Sequence, residues 1–153
     1  MTLNIKKFEE LSNKELYNIL KLRSEVFVVE QKCNYVDMDG IDEYALHVFY
    51  TENDEITAYL RLFPLDKKEN TAKIGRVISA KRRSGLGTLL LKEGINAAKY
   101  ALKADKLIVE AQSYVKDFYA KQGFVQTSGE FLDVGIPHVK MELAIWVLSE
   151  LMF

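Results

Sequence analysis

The chain has 153 residues, 21 basic against 22 acidic side chains and a hydrophobic content of 48%, which suits one domain over 1–153 with one sizeable core. Its formal charge of −1 gives no global field toward nucleic acid or an anionic membrane, so neither is expected as a partner. Cys33 is a lone cysteine, which excludes an intrachain disulfide framework, and no secretory leader or membrane-length apolar run is seen, so a soluble cytoplasmic protein is expected.

Leu3, Ile5 and Phe8 suit a first short strand. Ser12 followed by Glu15 has the order of a capping box, predicting a helix start there. Leu16, Ile19, Leu20, Arg23, Val26 and Phe27 keep a helical period, which carries the helix to about Glu30. Residues 31–43 hold Asp37, Asp39, Gly40 and Asp42 without periodicity and read as a loop. Cys33, within it, reads as a small, partly buried apolar side chain.

Three runs rich in β-branched and aromatic residues follow, at 46–50, 56–63 and 72–79, and predict an antiparallel meander. Leu86, Leu89, Leu90, Ala97, Ala98 and Ala101 lie at helical spacing from Gly85 to about Leu102, and Leu107 to Glu110 reads as a buried strand. Strand, helix, strand implies a parallel crossover. A short helix from Tyr114 to Gln122 ends at Gly123, and residues 124–143 contain two strand-like runs joined near Gly135-Ile-Pro137. The expected class is mixed α/β.

The chemistry concentrates where Arg76 to Leu91 leave a strand, cross a basic loop with two glycines and enter a helix. A helix start offers N–H groups without intrahelical partners and the positive end of the macrodipole, so it can receive a phosphate. Gly85 and Gly87 permit close approach, and Arg82 and Arg83 add charge at the same end. No Lys follows Gly87, so the nucleotide P-loop pattern fails. Leu90 stands where a dinucleotide fingerprint needs its third glycine.

Arg82-Arg-Ser-Gly85-Leu-Gly87 resembles the acyl-CoA pyrophosphate loop of the GNAT superfamily of N-acetyltransferases, Gln/Arg-x-x-Gly-x-Gly/Ala. Gln112-Ser-Tyr-Val-Lys-Asp-Phe-Tyr-Ala-Lys-Gln-Gly-Phe124 is similar to the family's Asn-x-x-Ala-x-x-Phe-Tyr-x-x-x-Gly-Phe segment, with Gln112 for Asn and Val115 for Ala. The stretches at 23–42 and 135–141 resemble the bacterial ElaA-like subgroup, so the resemblance runs from about residue 5 to 143.

The resemblance implies a GNAT fold of the α+β kind: a mixed central sheet with an antiparallel N-terminal meander, splayed parallel strands at the acyl-CoA site and flanking helices. It implies acetyl-CoA as co-substrate and an amine as acceptor, joined by direct attack. Val77, Ile78 and Ser79 would face the thioester, and Arg82, Arg83, Ser84, Gly85, Leu86, Gly87 and Thr88 the pyrophosphate. Gln112 would meet the pantetheine, and Tyr119 would protonate the departing thiolate. Cys33 is not needed.

An alkylammonium has a pKa near that of lysine, about 10.4, so a base or water chain must take its proton. Glu30, Asp37, Asp39 and His47 are the candidates, with Glu30 preferred, and the loop acids suggest an acidic pocket for a cationic amine. The loop lacks EF-hand spacing, because Gly40 is fourth from Asp37 and the distal Glu is missing. His138 follows Pro137 on a turn, and two histidines without a ligand cluster predict no metal. The apolar tail 144–153 is too short to span a membrane, and it would be covered by its own domain or by a homodimer partner. The alternative to turnover is a GNAT-like sensor or scaffold that holds acyl-CoA.

Overall fold

The computed structural model describes residues 1–80 and 84–145. These residues form an eight-stranded sheet in the order β1-β2-β3-β4-β5-β8-β6, with β7 also paired to β8. The strands are β1 (Thr2–Lys7), β2 (Leu46–Glu52), β3 (Glu55–Asp66), β4 (Thr71–Ser79), β5 (Lys106–Gln112), β6 (Val125–Gln126), β7 (Phe131–Asp133) and β8 (Ile136–Ala144). The expected meander is β2, β3 and β4, preceded by β1 as an antiparallel neighbour of β2. Among the described strands only β4 and β5 are parallel, joined by the crossover helix α2 (Leu86–Tyr100).

Helix α1 (Asn13–Arg23) begins as expected: the Ser12 Oγ accepts from the Glu15 N–H at 3.0 Å, and the Glu15 carboxylate accepts from the Ser12 N–H at 2.9 Å. Its continuation differs from a plain α-helix. Ser24–Glu30 is wound as a π-helix, whose wider turns continue into the i→i−5 bonds of Gln31 N–H to Val26 O and Cys33 N–H to Val28 O. The extra residue per turn re-phases the segment, so that Val26, Phe27 and Glu30 border the cleft described below.

The two faces of the sheet bury separate apolar clusters. On one, Leu86, Leu90, Leu91, Ala97 and Ala98 of α2 pack on Val48, Leu60, Leu62, Ile74, Leu107, Val109 and Met141. Complete burial of a leucine such as Leu90 or Leu91 contributes about 1.5–3 kcal/mol. Gly94 lets α2 lie this close, since a Cβ there would fall 2.8 Å from Leu60 Cδ2. On the other face Ile19 of α1 meets Phe49 and Tyr59.

The C-terminal part is more divided than expected. The short helix is a 3-10 turn (Ser113–Val115) followed by α3 (Lys116–Ala120), and the stretch read as two strand-like runs forms three strands. Val134 and Gly135, at φ 50° and 75°, make the two-residue turn between β7 and β8, which places Ile136 and Pro137 already inside β8. The tail beyond Ile145, which was expected to be covered, lies outside the described residues.

Candidate active site

The parallel pair holds together only from Thr71 opposite Lys106 to Ile74 opposite Val109. Beyond that point β4 stays with β3 as far as Ser79, while β5 stays with β8 as far as Gln112 opposite His138. The strands part, and a cleft of about 1120 Å³ opens between them. At the point of parting β3 contributes one residue, Leu60, where β4 contributes two, Arg76 and Val77. This β-bulge leaves one residue outside the ladder, and Arg76 there has φ 52°. Val77, Ile78 and Ser79 all line the cleft, as expected.

The start of α2 forms one end. Gly85 is the N-cap residue, at φ 82°, and the first intrahelical bond is Leu89 N–H to Gly85 O at 3.1 Å. The N–H groups of Gly85 to Thr88 therefore precede the helical ladder. Gly85, Gly87 and Thr88 line the cleft; Ser84 and Leu86 adjoin it in the chain, the Ser84 Oγ accepting a long 3.4 Å bond from the Leu86 N–H. Arg82 and Arg83 lie outside the described residues.

Tyr119 reaches the cleft from α3. Its ring is held edge-on between Phe118 (centroids 5.1 Å apart) and Phe124 (5.7 Å). Burial pushes the phenol's pKa up, so it stays protonated across the physiological range. Gln112, at the end of β5, lines the cleft and donates from Nε2 to Gln31 Oε1 at 3.3 Å.

The loop acids are placed otherwise than expected. Asp37 binds Arg23 Nε at 2.8 Å and Arg76 Nε at 2.7 Å, and Tyr35 donates to it at 3.1 Å. Asp42 binds Arg23 Nη1 at 2.6 Å and Arg61 Nη1 at 3.1 Å, and Asp39 takes Arg61 in a bidentate pair at 2.6 and 2.8 Å. Three carboxylates face three guanidiniums, so the acidic amine pocket is not formed; its charge is spent internally. The arrangement follows from Arg23, which lies on the apolar face of α1 with no exposed surface and needs full compensation there.

The electrostatics agree with this pairing. The Arg61 hydrogen bonds hold the Asp39 carboxyl at about 2, against some desolvation. Burial alone would raise Asp42, but Arg23 and Arg61 override it and keep the carboxyl low. Burial opposes the charge on Arg23, and the bonds and charges of Asp42 and Asp37 more than offset it.

His47 is not placed as a base either. It is fully buried, with Nδ1 2.8 Å from the Tyr59 hydroxyl and Nε2 2.9 Å from Asp42 O, and burial lowers its pKa. Among the remaining candidates Glu30 does line the cleft, at the exposed end of the π segment. His138, read from the sequence only against a metal site, also lines it. The residue is 9% exposed, its ring stacked on Phe131 at 6.0 Å with Nδ1 2.7 Å from Ile136 O. In the sequence it lies within the 135–141 stretch that carries the subgroup resemblance, and that does not say which face of a strand it occupies. Among the described residues no group of three or more metal-binding side chains comes together.

Parallel strands that part, with a glycine-bearing helix start and a tyrosine at the gap, are what the resemblance to the GNAT acetyltransferases implies. The model of the "Acetyltransferase (GNAT) domain" family matches residues 9–145, and the chain belongs to this family. Within it the chain is ElaA-like. Protein ElaA of Escherichia coli is 35% identical over 136 residues, 86% of this chain and 89% of ElaA. Its crystal structure superposes with a TM-score of 0.85 at 32% identity, covering 92% of this chain and 97% of that one. The crystal structure of an acyl-CoA N-acyltransferase from Pseudomonas aeruginosa gives 0.87 at 36% identity, over 94% and 100%. An aminoglycoside 6'-N-acetyltransferase solved with coenzyme A shares the fold at 0.74, with 12% identity over 96% of this chain and 98% of its own.

Proposed function

We propose that the protein is an acyl-CoA-dependent N-acyltransferase that moves an acetyl group from acetyl-CoA to a primary amine by direct attack, with no acyl-enzyme. The observation that carries this reading is the parting of β4 from β5 beside the Arg76–Val77 bulge, with the α2 N-terminus at one end of the gap and the Tyr119 phenol in it.

The pyrophosphate sits against the N–H groups of Gly85 to Thr88, where the helix dipole favours negative charge, with Arg82 and Arg83, just before them in the sequence, adding charge. Gln112 meets the pantetheine. The thioester lies along Val77 to Ser79, and a backbone N–H near the bulge stabilises the oxygen as negative charge develops on it. Tyr119 donates its proton to the thiolate as the C–S bond breaks. Glu30, at the acceptor end, draws in the cationic amine. With the loop acids compensated by arginines, the wall there is made by Val26, Phe27, Cys33, Tyr35 and Val36.

Thermal stability measured with and without acetyl-CoA tests the reading. Ligand at a hundred times its dissociation constant stabilises by about 2.7 kcal/mol. That is an upward shift of about 5–10 °C for a chain of this size. No shift would remove the acyl-CoA reading and leave the fold alone.

A further inference from the structure

Strand register and packing assign opposite faces to two of the ionisable rings in the cleft, Tyr119 and His138. Val109 and Ala111 of β5 and their partners Met141 and Val139 of β8 belong to the cluster under α2, which also contains Tyr119. The alternate pairs, Glu110 with Lys140 and Gln112 with His138, therefore face the other way, toward α1 and the loop after it; the Gln112–Gln31 hydrogen bond bears this out. Tyr119 approaches the gap from one side of the sheet and His138 from the other.

The His138 imidazole is also prepared chemically. Ile136 O can only accept, so in the neutral ring Nδ1 carries the proton and Nε2 the lone pair. Stacking on Phe131 fixes the plane of the ring. Nε2 has no hydrogen-bond partner among the described residues, yet it is not among the buried unsatisfied atoms, so it keeps accessible surface in a residue that lines the cleft. The neighbouring groups are otherwise engaged: Tyr35 donates to Asp37, Glu110 pairs with Lys73 at 3.3 Å and Lys140 with Glu142 at 3.7 Å. The Cys33 thiol lies against Gln31 O and Val134 O, and Glu30, Tyr114, Lys121 and Asp133 complete the titratable border and are exposed.

Resting on the acyltransferase reading above, we propose that His138 Nε2 is the group that takes the proton from the acceptor amine. The ammonium gives one proton to Nε2, and the freed lone pair forms the C–N bond at the thioester carbonyl. Collapse of the adduct breaks the C–S bond, the thiolate takes the Tyr119 proton, and the second proton on nitrogen leaves to solvent, from which both side chains reset. In sum, one ammonium and one acetyl-CoA give one amide, one CoA thiol and one proton. Separation of the two rings across the sheet keeps the base from neutralising the acid directly.

The test compares wild type with His138→Gln, using acetyl-CoA and a panel of phenethylamine, spermidine, kanamycin and a peptide with a free N-terminus, over pH 6 to 9.5. The variant should lose about 10²-fold or more in kcat/KM, keep the acetyl-CoA thermal shift, and gain rate with rising pH where wild type has levelled off. A variant within threefold of wild type and with the same pH profile overturns the assignment while the acyl-CoA site stands. A wild type that acetyl-CoA does not stabilise removes the parent reading and this one with it. If acetyl-CoA binds but no amine on the panel reacts, turnover and this assignment both fall while the acyl-CoA site stands; where an amine does react, nitrogen-15 spectra give a second check. The chain has two histidines, so the signal absent from His138→Gln is that of His138. An Nδ1-protonated ring supports the assignment and an Nε2-protonated ring overturns it.

Discussion

Replacement of Gly87 by aspartate places a carboxylate at the proposed pyrophosphate position without harming the helix that forms it. Gly87 is the second residue of α2, and an added Cβ meets the Phe118 ring at 3.6 Å and Ser79 Cβ at 3.7 Å, ordinary van der Waals contact. Gly85 is a poorer site for this change, because at φ 82° any side chain adds backbone strain. An acid in the first turn of a helix is favourable by about 0.3–1 kcal/mol, so the free variant should melt at or slightly above the wild-type temperature. Against a bound pyrophosphate the same charge repels. Two unit charges about 5 Å apart at an effective dielectric of about 20 cost about 3 kcal/mol, roughly a hundredfold in affinity. At an acetyl-CoA concentration a hundred times the wild-type dissociation constant, the stabilisation should drop from about 2.7 to about 0.4 kcal/mol, leaving a shift of about 1–2 °C. Differential scanning fluorimetry reads both numbers in one experiment. A variant that keeps the full shift would show that the start of α2 does not hold the pyrophosphate.

Tyr119→Phe keeps the edge-on packing with Phe118 and Phe124 and removes only the hydroxyl, so melting temperature and acetyl-CoA shift should stay while kcat falls about 10²-fold; a kcat within threefold of wild type would take the proton-donor role from it. In acid, Asp39 and Asp42 have folded-state values below their unfolded ones, so their stabilisation is present above about pH 4 and is lost as pH falls toward 2. Urea midpoints measured from pH 5 to pH 2 should fall across that window, and a flat profile would contradict the compensated Arg–Asp cluster.

What was legible in the sequence was mostly local. Ser12 and Glu15 are three residues apart and form their capping box as written, and the path from β4 through Gly85 into α2 follows from glycine placement and periodicity. The arginine–aspartate cluster was not legible, because its pairs are 14 to 39 residues apart, and a loop carboxylate has the same signature whether solvated or paired. Arg23 did stand on the apolar face of a helix, the one hint that some acid must cover it. The π winding after Arg23 and the bulge at Arg76–Val77 each add a residue to a regular pattern, and their cause is tertiary packing rather than local propensity. The junction expected near Gly135-Ile-Pro137 starts one residue earlier, at Val134, because valine at φ 50° is a poor turn former; the Val134 carbonyl accepts a 3.7 Å contact from Cys33 Sγ, a partner 101 residues away. The place of His138 is not legible either, since it rests on a strand register that ties it to Gln112, 26 residues earlier.

The most direct measurement is the release of CoA thiol from acetyl-CoA by the wild-type chain, followed with and without the amine panel and matched to acetylated product by mass spectrometry. An N-acyltransferase releases thiol in step with amide, only when an accepting amine is present, and slows sharply on Tyr119→Phe. Acetyl-CoA that binds and stabilises the protein yet yields neither thiol nor amide with any of the amines would contradict turnover and identify a GNAT fold used to hold acyl-CoA.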